Sequence, residues 1–261
     1  MCTVLIFQDI HPDFPLLIAA NRDESYHRPS SSIQRLHDAP IAIGGKDQKR
    51  GGTWMGANAA GIFVGVTNHR NYKKDDKSKG SRGTVVKDAL KMEHPDQIQA
   101  YLEARSPKDY NPFNLLFGQS GDLRVAYARE GADTFDFETV PTGLHVLPND
   151  RLNTTLFPKA GYMRSLCDVP LETGAALWKQ LQHWLSDHQL PPLSEIPDPP
   201  ESRWIPRIFL RQLEAMCIHT PTYGTLSSTI VAMTPGRIEH YLYCDGKPCK
   251  AEFEEYTHLL D

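Results

Sequence analysis

The chain has 261 residues, 40% of them hydrophobic and 23% charged, with a formal net charge of −4. That length suits one large domain, taken as residues 1–261, since mixed sheet-and-helix folds often use it as a single unit. The two signs of charge are interspersed, so no basic stripe marks a nucleic-acid surface, no basic amphipathic helix marks a membrane surface, and no apolar run reaches the ~18 residues of an integral membrane segment.

The first residues lack a positively charged region, and Gln8 and Asp9 cut the apolar run short, so no signal peptide is read there and a cytoplasmic location is expected. The five cysteines, Cys2, Cys167, Cys217, Cys244 and Cys249, are odd in number and irregularly spaced, which points to free thiols in a reducing compartment. The Cys244–Cys249 spacing fits neither a zinc knuckle nor a redox C-x-x-C, and the histidines form no H-E-x-x-H. No metal and no cofactor are expected.

In chain order, residues 2–8 are rich in β-branched and apolar side chains and predict a strand. His11-Pro12-Asp13-Phe14-Pro15 is a turn whose prolines cannot join a ladder, and the continuous apolar run 16–20 is a second, buried strand. Two strands so connected make a hairpin. Pairing Ile10 with Pro15 sets Cys2 opposite Asp23, with Arg22 one step away, and brings residue 2 beside the polar cluster Asn21-Arg22-Asp23-Glu24.

Short strands are expected at 41–44, 53–56 and 61–67, separated by Gly44-Gly45, Gly51-Gly52 and Ala60-Gly61. Residues 73–81 form a charged, solvated loop. Helices follow at 84–91 and 96–104, the second capped by Asp96 after Pro95. Strands are expected at 113–117, 123–128, 134–140 and 142–147, then a helix at 172–188 with Trp178, Leu181 and Leu185 on one face. The proline-rich stretch 190–206 is an ordered surface connection. A helix at 208–216 and strands at 223–233, 238–244 and 251–256 complete the chain. Strands dominate both ends and helices the middle, which is α+β and not an alternating βαβ pattern.

Cys2 is the sharpest chemical feature. With Met1 removed, its α-amine would be free, with a reference pKa of about 7.7–8.0, and would accept the thiol proton, so nucleophile and base would belong to one residue. Arg22 beside it favours thiolate, and Asp23 is placed to orient the amine. The plainer readings are that Cys2 is a small residue starting a strand and that Arg22-Asp23 is a surface ion pair.

The run Leu17-Ile18-Ala19-Ala20-Asn21-Arg22-Asp23-Glu24, followed by Arg28-Pro29, resembles the signature of the NRDE family, which includes the transport-and-Golgi-organisation proteins of animals. The resemblance continues in order through Gly51-Gly52-Thr53-Trp54-Met55-Gly56, Gly61, Thr67-Asn68, Ser81-Arg82-Gly83, Phe113-Asn114-Leu115, Leu147-Pro148-Asn149 and Tyr223-Gly224-Thr225. It implies an N-terminal-nucleophile hydrolase-like four-layer αββα sandwich. It also implies kinship with enzymes that cleave linear non-peptide amides, such as bile-salt and penicillin V acylases. By that resemblance Cys2 is the nucleophile, Arg22 and Asp23 flank it, and Asn68 and Asn149 supply oxyanion or substrate contacts through their amide donors.

Asn21, Trp54 and Arg82 are candidate substrate-binding residues. Trp54 walls a pocket or joins the core, and Arg82 meets an anionic ligand at a helix start or is simply a solvated entry residue. One departure stands out: the family usually has an arginine after Tyr-Gly-Thr, and here that place holds Leu226. Arg203, Arg207 and Arg211 are the candidates to compensate. The function expected is an amidohydrolase or acyltransferase acting on a small-molecule amide or acyl substrate. The alternative that the resemblance implies is a non-catalytic haem or acyl-lipid binding or trafficking protein, for which His11, His27, His37 or His69 would be the haem ligand, none of them singled out by the sequence. No nucleic acid enters either reading.

Overall fold

The structure, a computed structural model, describes residues 2–199 and 205–261, and of residue 2 the main chain. The chain opens with the expected hairpin, β1 (Cys2–Gln8) and β2 (Leu16–Ser25). It continues through β3 (Ser30–Asp38), β4 (Ile41–Asp47), β5 (Met55–Asn58) and β6 (Phe63–Asn68). Helices α1 (Arg82–Ala89) and α2 (Pro95–Glu103) are followed by β7 (Phe113–Gln119), β8 (Asp122–Ala128), β9 (Asp136–Thr139) and β10 (Gly143–Leu147). Then come α3 (Pro158–Leu166), α4 (Ala175–Leu185) and α5 (Arg207–Gln212), and the strands β11 (Tyr223–Thr234), β12 (Arg237–Asp245) and β13 (Glu254–Glu255).

Two antiparallel sheets result. The first runs β10-β1-β2-β11-β12-β13, so both ends of the chain share it, and the second is a meander from β3 to β9 in sequence order. Side-chain alternation explains the layering. On β1 and β2, Val4, Ile6, Leu16, Ile18 and Ala20 face the second sheet and merge with Phe63 and Leu116 in one core. Their alternates Leu5, Phe7, Leu17 and Ala19 face outward and are covered by Ala160 and Met163 of α3 and by Leu177, Leu181 and Trp184 of α4. On the far side, Val85, Val86, Ile98 and Leu102 of α1 and α2 cover the second sheet. Because β1 and β2 are buried on both faces, they read as unbroken apolar runs. The architecture is the four-layer αββα sandwich of α+β class. No helix is long and apolar enough to cross a membrane among the described residues.

Several elements depart from the sequence reading. Strand β2 does not stop at Ala20: the polar residues 21–25 stay in the sheet because β11 pairs with them as far as Ser25. Strand β3 is absent from the pattern because it lies at a sheet edge, paired on one side only, and carries a mostly polar sequence. Helix α2 is capped at His94, not Asp96, with Pro95 at its first position and Gln97 Oε1 accepting from the main-chain N–H groups of Glu93 and His94 at 2.9 and 3.1 Å. Helix α3 carries Gly161 in its middle and has no strong apolar period, so propensity hides it. Helix α4 starts only after Gly174, whose φ of 57° suits glycine, and it buries Leu177, Leu181, Trp184 and Leu185, leaving Trp178 half-covered at the stripe's margin.

Candidate active site

The hairpin sets the register of the site. Asp9 N–H donates to the Pro15 carbonyl at 2.6 Å, Gln8 faces Leu16, and the pairing runs back to Cys2 opposite Arg22 and Thr3 opposite Asn21. This corrects the expected pairing of Cys2 with Asp23 by one residue. A one-residue slip exchanges the two faces of a strand. Arg22 therefore shares the inward face with Ile18 and Ala20, and its guanidinium lies 4.1 Å from the centroid of the Trp54 ring on the second sheet, a cation–π contact. Asn21 and Asp23 take the other face, toward the helices. The side chain of Cys2 lies outside the described residues.

Asp23 is buried, and a bulge in β11 shapes its surroundings. Thr225 pairs with Asp23 and Ser227 with Arg22, so Leu226 is the extra residue between them. The Thr225 hydroxyl donates to Asp23 Oδ1 at 2.6 Å, and the Tyr223 hydroxyl donates to the Asp23 carbonyl at 2.8 Å. Burial pushes the Asp23 carboxyl above the ordinary carboxylate range, and Lys159, the Thr225 hydrogen bond and Arg22 pull it back.

Lys159 stands on α3 and is itself buried. Its Nζ donates to the Ala215 carbonyl at 3.1 Å and its main-chain N–H to Glu214 Oε2 at 3.2 Å, while Glu214 Oε1 accepts from Arg70 Nη1 at 2.7 Å. A chain of buried charge thus leads away from Asp23. Lys159 is the side-chain cation with the largest effect on Asp23, and sequence inspection passes over it because it lies on the helix that propensity hides. Of the candidates to replace the missing arginine, the two that lie in the described residues are committed elsewhere. Arg207 donates to the carbonyls of Leu193 and Ile196, Arg211 donates to that of Pro191, and Arg203 lies outside the described residues.

Asn21 is committed to main-chain and side-chain partners and is not among the residues that line the cleft at the end of β2. Its Nδ2 donates to the carbonyls of Leu185 and Met216 at 2.8 and 2.9 Å, and its Oδ1 accepts from Ser228 at 2.5 Å. With its amide so committed, Asn21 pins the sheet to the end of α4.

A cleft of about 540 Å³ opens between the end of β2, the Thr53-Trp54 segment, Asn68 at the end of β6, and the N-terminus of α1 at Ser81–Gly83. It brings Arg22, Asp23, Trp54, Asn68 and Arg82 together. Two glycines make this possible. A Cβ on Gly45 would sit 2.2 Å from the Trp54 ring, and a Cβ on Gly52 would sit 2.4 Å from the Gly83 carbonyl carbon, where the first turn of α1 meets the segment leading into β5. The cleft is polar and rich in cations, with Arg28, Lys49, Arg50 and Lys77 also on its walls. Sequence inspection quotes Arg28 only within the family signature and does not single out Lys49, Arg50 or Lys77, since each alone resembles a solvated surface charge. Arg28 is held by Asp47 at 2.7 Å and Glu24 at 3.6 Å, and Arg82 by the Asp75 carboxylate and the Pro112 carbonyl.

Asn149 stands behind Asn68, not on the cleft wall. It is buried, and its Nδ2 donates to the Asn68 carbonyl at 2.8 Å while its own carbonyl accepts from Arg70 N–H at 2.8 Å. The Pro148 carbonyl accepts from Thr67 Oγ1 at 3.0 Å, and that of Asp150 from Asn114 Nδ2 at 2.7 Å, tying the end of β10 to β6 and β7 across the two sheets.

Histidines 11, 27, 37 and 69 are not among the cleft's lining residues. In His11, Nε2 meets the Glu172 carbonyl at 3.0 Å and Nδ1 accepts from Asp13 and Phe14, so both ring nitrogens are in use. The sequence spacings predict no metal-ligand grouping, yet the fold draws His188, Cys217, His219 and Cys249 together from separate segments.

Comparison with known proteins adds to this geometry. The family described as Transport and Golgi organisation 2 matches residues 1–241. The chain belongs to that family. A Bos taurus Transport and Golgi organization protein 2 homolog is 29% identical over 252 residues, and a Homo sapiens homolog is 29% identical over 248, each covering 88% of both chains. Among solved structures, a Caenorhabditis elegans N-acylethanolamine-hydrolyzing acid amidase ortholog superposes with a TM-score of 0.56 at 11% identity, covering 90% of this chain and 93% of that one. The C2A mutant of conjugated bile acid hydrolase from Clostridium perfringens superposes with a TM-score of 0.50 at 12% identity, covering 98% and 96%. At such identities the likeness shows the fold, that of N-terminal-nucleophile hydrolases, and leaves the chemistry of this family member to its own residues.

Proposed function

We propose that the chain, acting as one unit over residues 1–261, is a cysteine amidohydrolase for a small polar acyl-amide, with Cys2 as nucleophile after removal of Met1. The observation that carries this reading is the register that sets residue 2 across from Arg22, a residue that lines the cleft together with Asp23 and Asn68. In the first step the Cys2 thiol adds to the amide carbonyl carbon and passes its proton to the Cys2 α-amine. The C–N bond then breaks, the amine product leaves with that proton, and a thioester remains. Water, deprotonated by the same α-amine, adds to the thioester, which collapses to the carboxylic acid and the free thiol. The carboxyl of Asp23, fixed by Thr225, orients the α-amine. The Asn68 amide donates to the developing oxyanion, and Asn149 holds the Asn68 main chain in place.

The cleft's character bears on the substrate. Its walls are charged, and the N-terminus of α1 opens onto it at Ser81–Gly83, an arrangement that favours an anionic group. The acyl or amine half of the substrate therefore carries negative charge on the side facing Arg82.

Intact-mass analysis with thioester and activated-amide probes tests the reading. Loss of Met1 and one stoichiometric acyl adduct at Cys2 are expected. The buried Cys167 and Cys244 stay unlabelled, because burial raises their thiols to about 12 and 11. The Cys2→Ala variant should lose hydrolysis by at least a factor of about 10³–10⁴ while keeping its fold. Retained Met1, or labelling at Cys2 no faster than at the exposed Cys249, would overturn it.

A further inference from the structure

Away from the cleft, where α4 ends, four side chains converge that the proposed hydrolysis does not use. His188 follows α4, Cys217 and His219 lie on the segment leading into β11, and Cys249 lies on the turn after β12. Their ligand atoms all fall within 4.8 Å of one another. The two sulfurs are 3.8 Å apart, and His219 Nε2 is 3.4 Å from each of them.

These separations match the edges of a coordination tetrahedron. With Zn–S bonds of about 2.3 Å and Zn–N bonds of about 2.0–2.1 Å, tetrahedral angles give S···S edges of about 3.8 Å and S···N edges of about 3.6 Å. A disulfide would need a sulfur separation of about 2.0 Å and no histidine at all. His188 has the backing expected of a ligand. Its Nδ1 lies 2.9 Å from the Cys217 carbonyl, and a carbonyl only accepts, so the proton sits on Nδ1 and the Nε2 lone pair is free to face the cluster. The rings of His188 and His219 are packed edge to face, 4.8 Å between centroids.

We infer that His188, Cys217, His219 and Cys249 form a tetrahedral Cys₂His₂ site for a zinc ion. Two thiolates and two imidazoles in this geometry suit zinc better than the oxygen-seeking divalent cations. Four protein ligands leave no open position, so the site is structural. Ligation through His219 Nε2 places a proton on Nδ1, and the Lys247 ammonium, now 3.4 Å from that nitrogen, turns away on loading.

The ion would clamp three segments behind the cleft. Cys217 N–H already donates to the Asp187 carbonyl at 2.8 Å, next to His188. Between the two ligands Cys217 and His219, Ile218 N–H donates at 2.9 Å to Thr225 Oγ1, the hydroxyl that donates to Asp23. A metal held one residue to either side of Ile218 fixes the support of Asp23 without touching substrate. The site itself stands whether or not the hydrolase reading does, because metal content needs no substrate.

The test is metal analysis of the whole chain purified under reducing, anaerobic conditions, stripped with chelator and resupplied with zinc ion alone. One zinc per chain is expected, with Cys249 protected from alkylation. Cobalt(II) in its place should give the intense visible bands of tetrahedral thiolate coordination. The Cys249→Ser and His219→Asn variants should weaken zinc affinity by about 100-fold or more, past the 10–100-fold of outer-shell changes, and lose the thiolate-to-cobalt charge transfer in proportion to the sulfur removed. His183→Ala, an exposed histidine of α4 outside the cluster, should bind zinc as the parent does. A folded, reduced chain that takes up no zinc, variants that bind it as tightly as the parent, or a Cys217–Cys249 disulfide formed in the presence of zinc would each overturn the assignment.

Discussion

Two regions of this molecule are rich in charge and use it in opposite ways. Behind β2, Arg70 and Glu214 are paired at 2.7 Å with side chains only 7% and 1% exposed, alongside the buried Lys159 and Asp23. At the rim of the second sheet, Lys73 and Glu130 are paired at 2.6 Å with side chains 61% and 55% exposed. The distances are alike and the settings are not. In the interior each charge has given up its hydration and depends on its partner. At the rim, water replaces a lost partner at little cost. Short contacts alone therefore say little about which residues hold the site together, and burial decides it.

The largest effect should follow from breaking the buried set. Glu214→Gln keeps the shape but leaves the Arg70 guanidinium, stacked 4.0 Å from the Phe157 ring, without its counter-charge. A loss of about 3–5 kcal/mol is expected, read as a lower urea midpoint at unchanged m-value. Replacing both partners with apolar residues, as in Arg70→Met with Glu214→Leu, should recover most of it. A single variant within about 1 kcal/mol of the parent would erase the contrast between the two regions.

An intermediate case sharpens the comparison. Asp150 lies 3.5 Å from His69, with side chains 15% and 22% exposed, and its carboxyl is held down to about 2, first by the His69 hydrogen bond and also by those from Thr154 and Arg151 N–H. A carboxylate depressed in the folded state adds stability above its ordinary value near 3.8 and loses that contribution as pH falls toward 2. Asp150→Asn should therefore be less stable than the parent by on the order of 1–2 kcal/mol at pH 6, and the two should converge by about pH 2. Urea midpoints against pH would show it, and a difference that persists unchanged at pH 2 would assign the effect to packing instead.

The sequence discloses these regions unevenly, for physical reasons. The apolar runs of β1 and β2 and the Asn21-Arg22-Asp23-Glu24 cluster are legible because both-face burial and a polar strand end leave marks in adjacent residues. The register is off by one because pairing depends on the geometry of the seven-residue connection 9–15, which composition does not fix. Lys159 is invisible because its helix has Gly161 in the middle and a weak apolar stripe. The structural bonds of Asn21 are not legible either, because a polar residue in a motif looks like a ligand contact until its amide is seen bonded to Leu185 and Met216. The His188, Cys217, His219 and Cys249 cluster escapes for a different reason. Motif spacing detects ligands that are neighbours in the chain, and these come from three segments joined only by the fold.

The smallest effect is the one that completes the comparison. Lys73→Ala removes a partner from an exposed pair in the charged loop, where the lysine gives up rotamer freedom to hold its geometry and water solvates both groups. Stability should change by about 0–1 kcal/mol at low ionic strength, and parent and variant should become indistinguishable near 1 M salt, where the screening length falls to about 3 Å. Glu214→Gln should keep its deficit in the same salt series, because the Arg70–Glu214 pair is shielded from solvent ions. If salt erased both differences alike, burial would not be what separates the two regions, and the charge behind β2 would have to be regarded as solvated in solution.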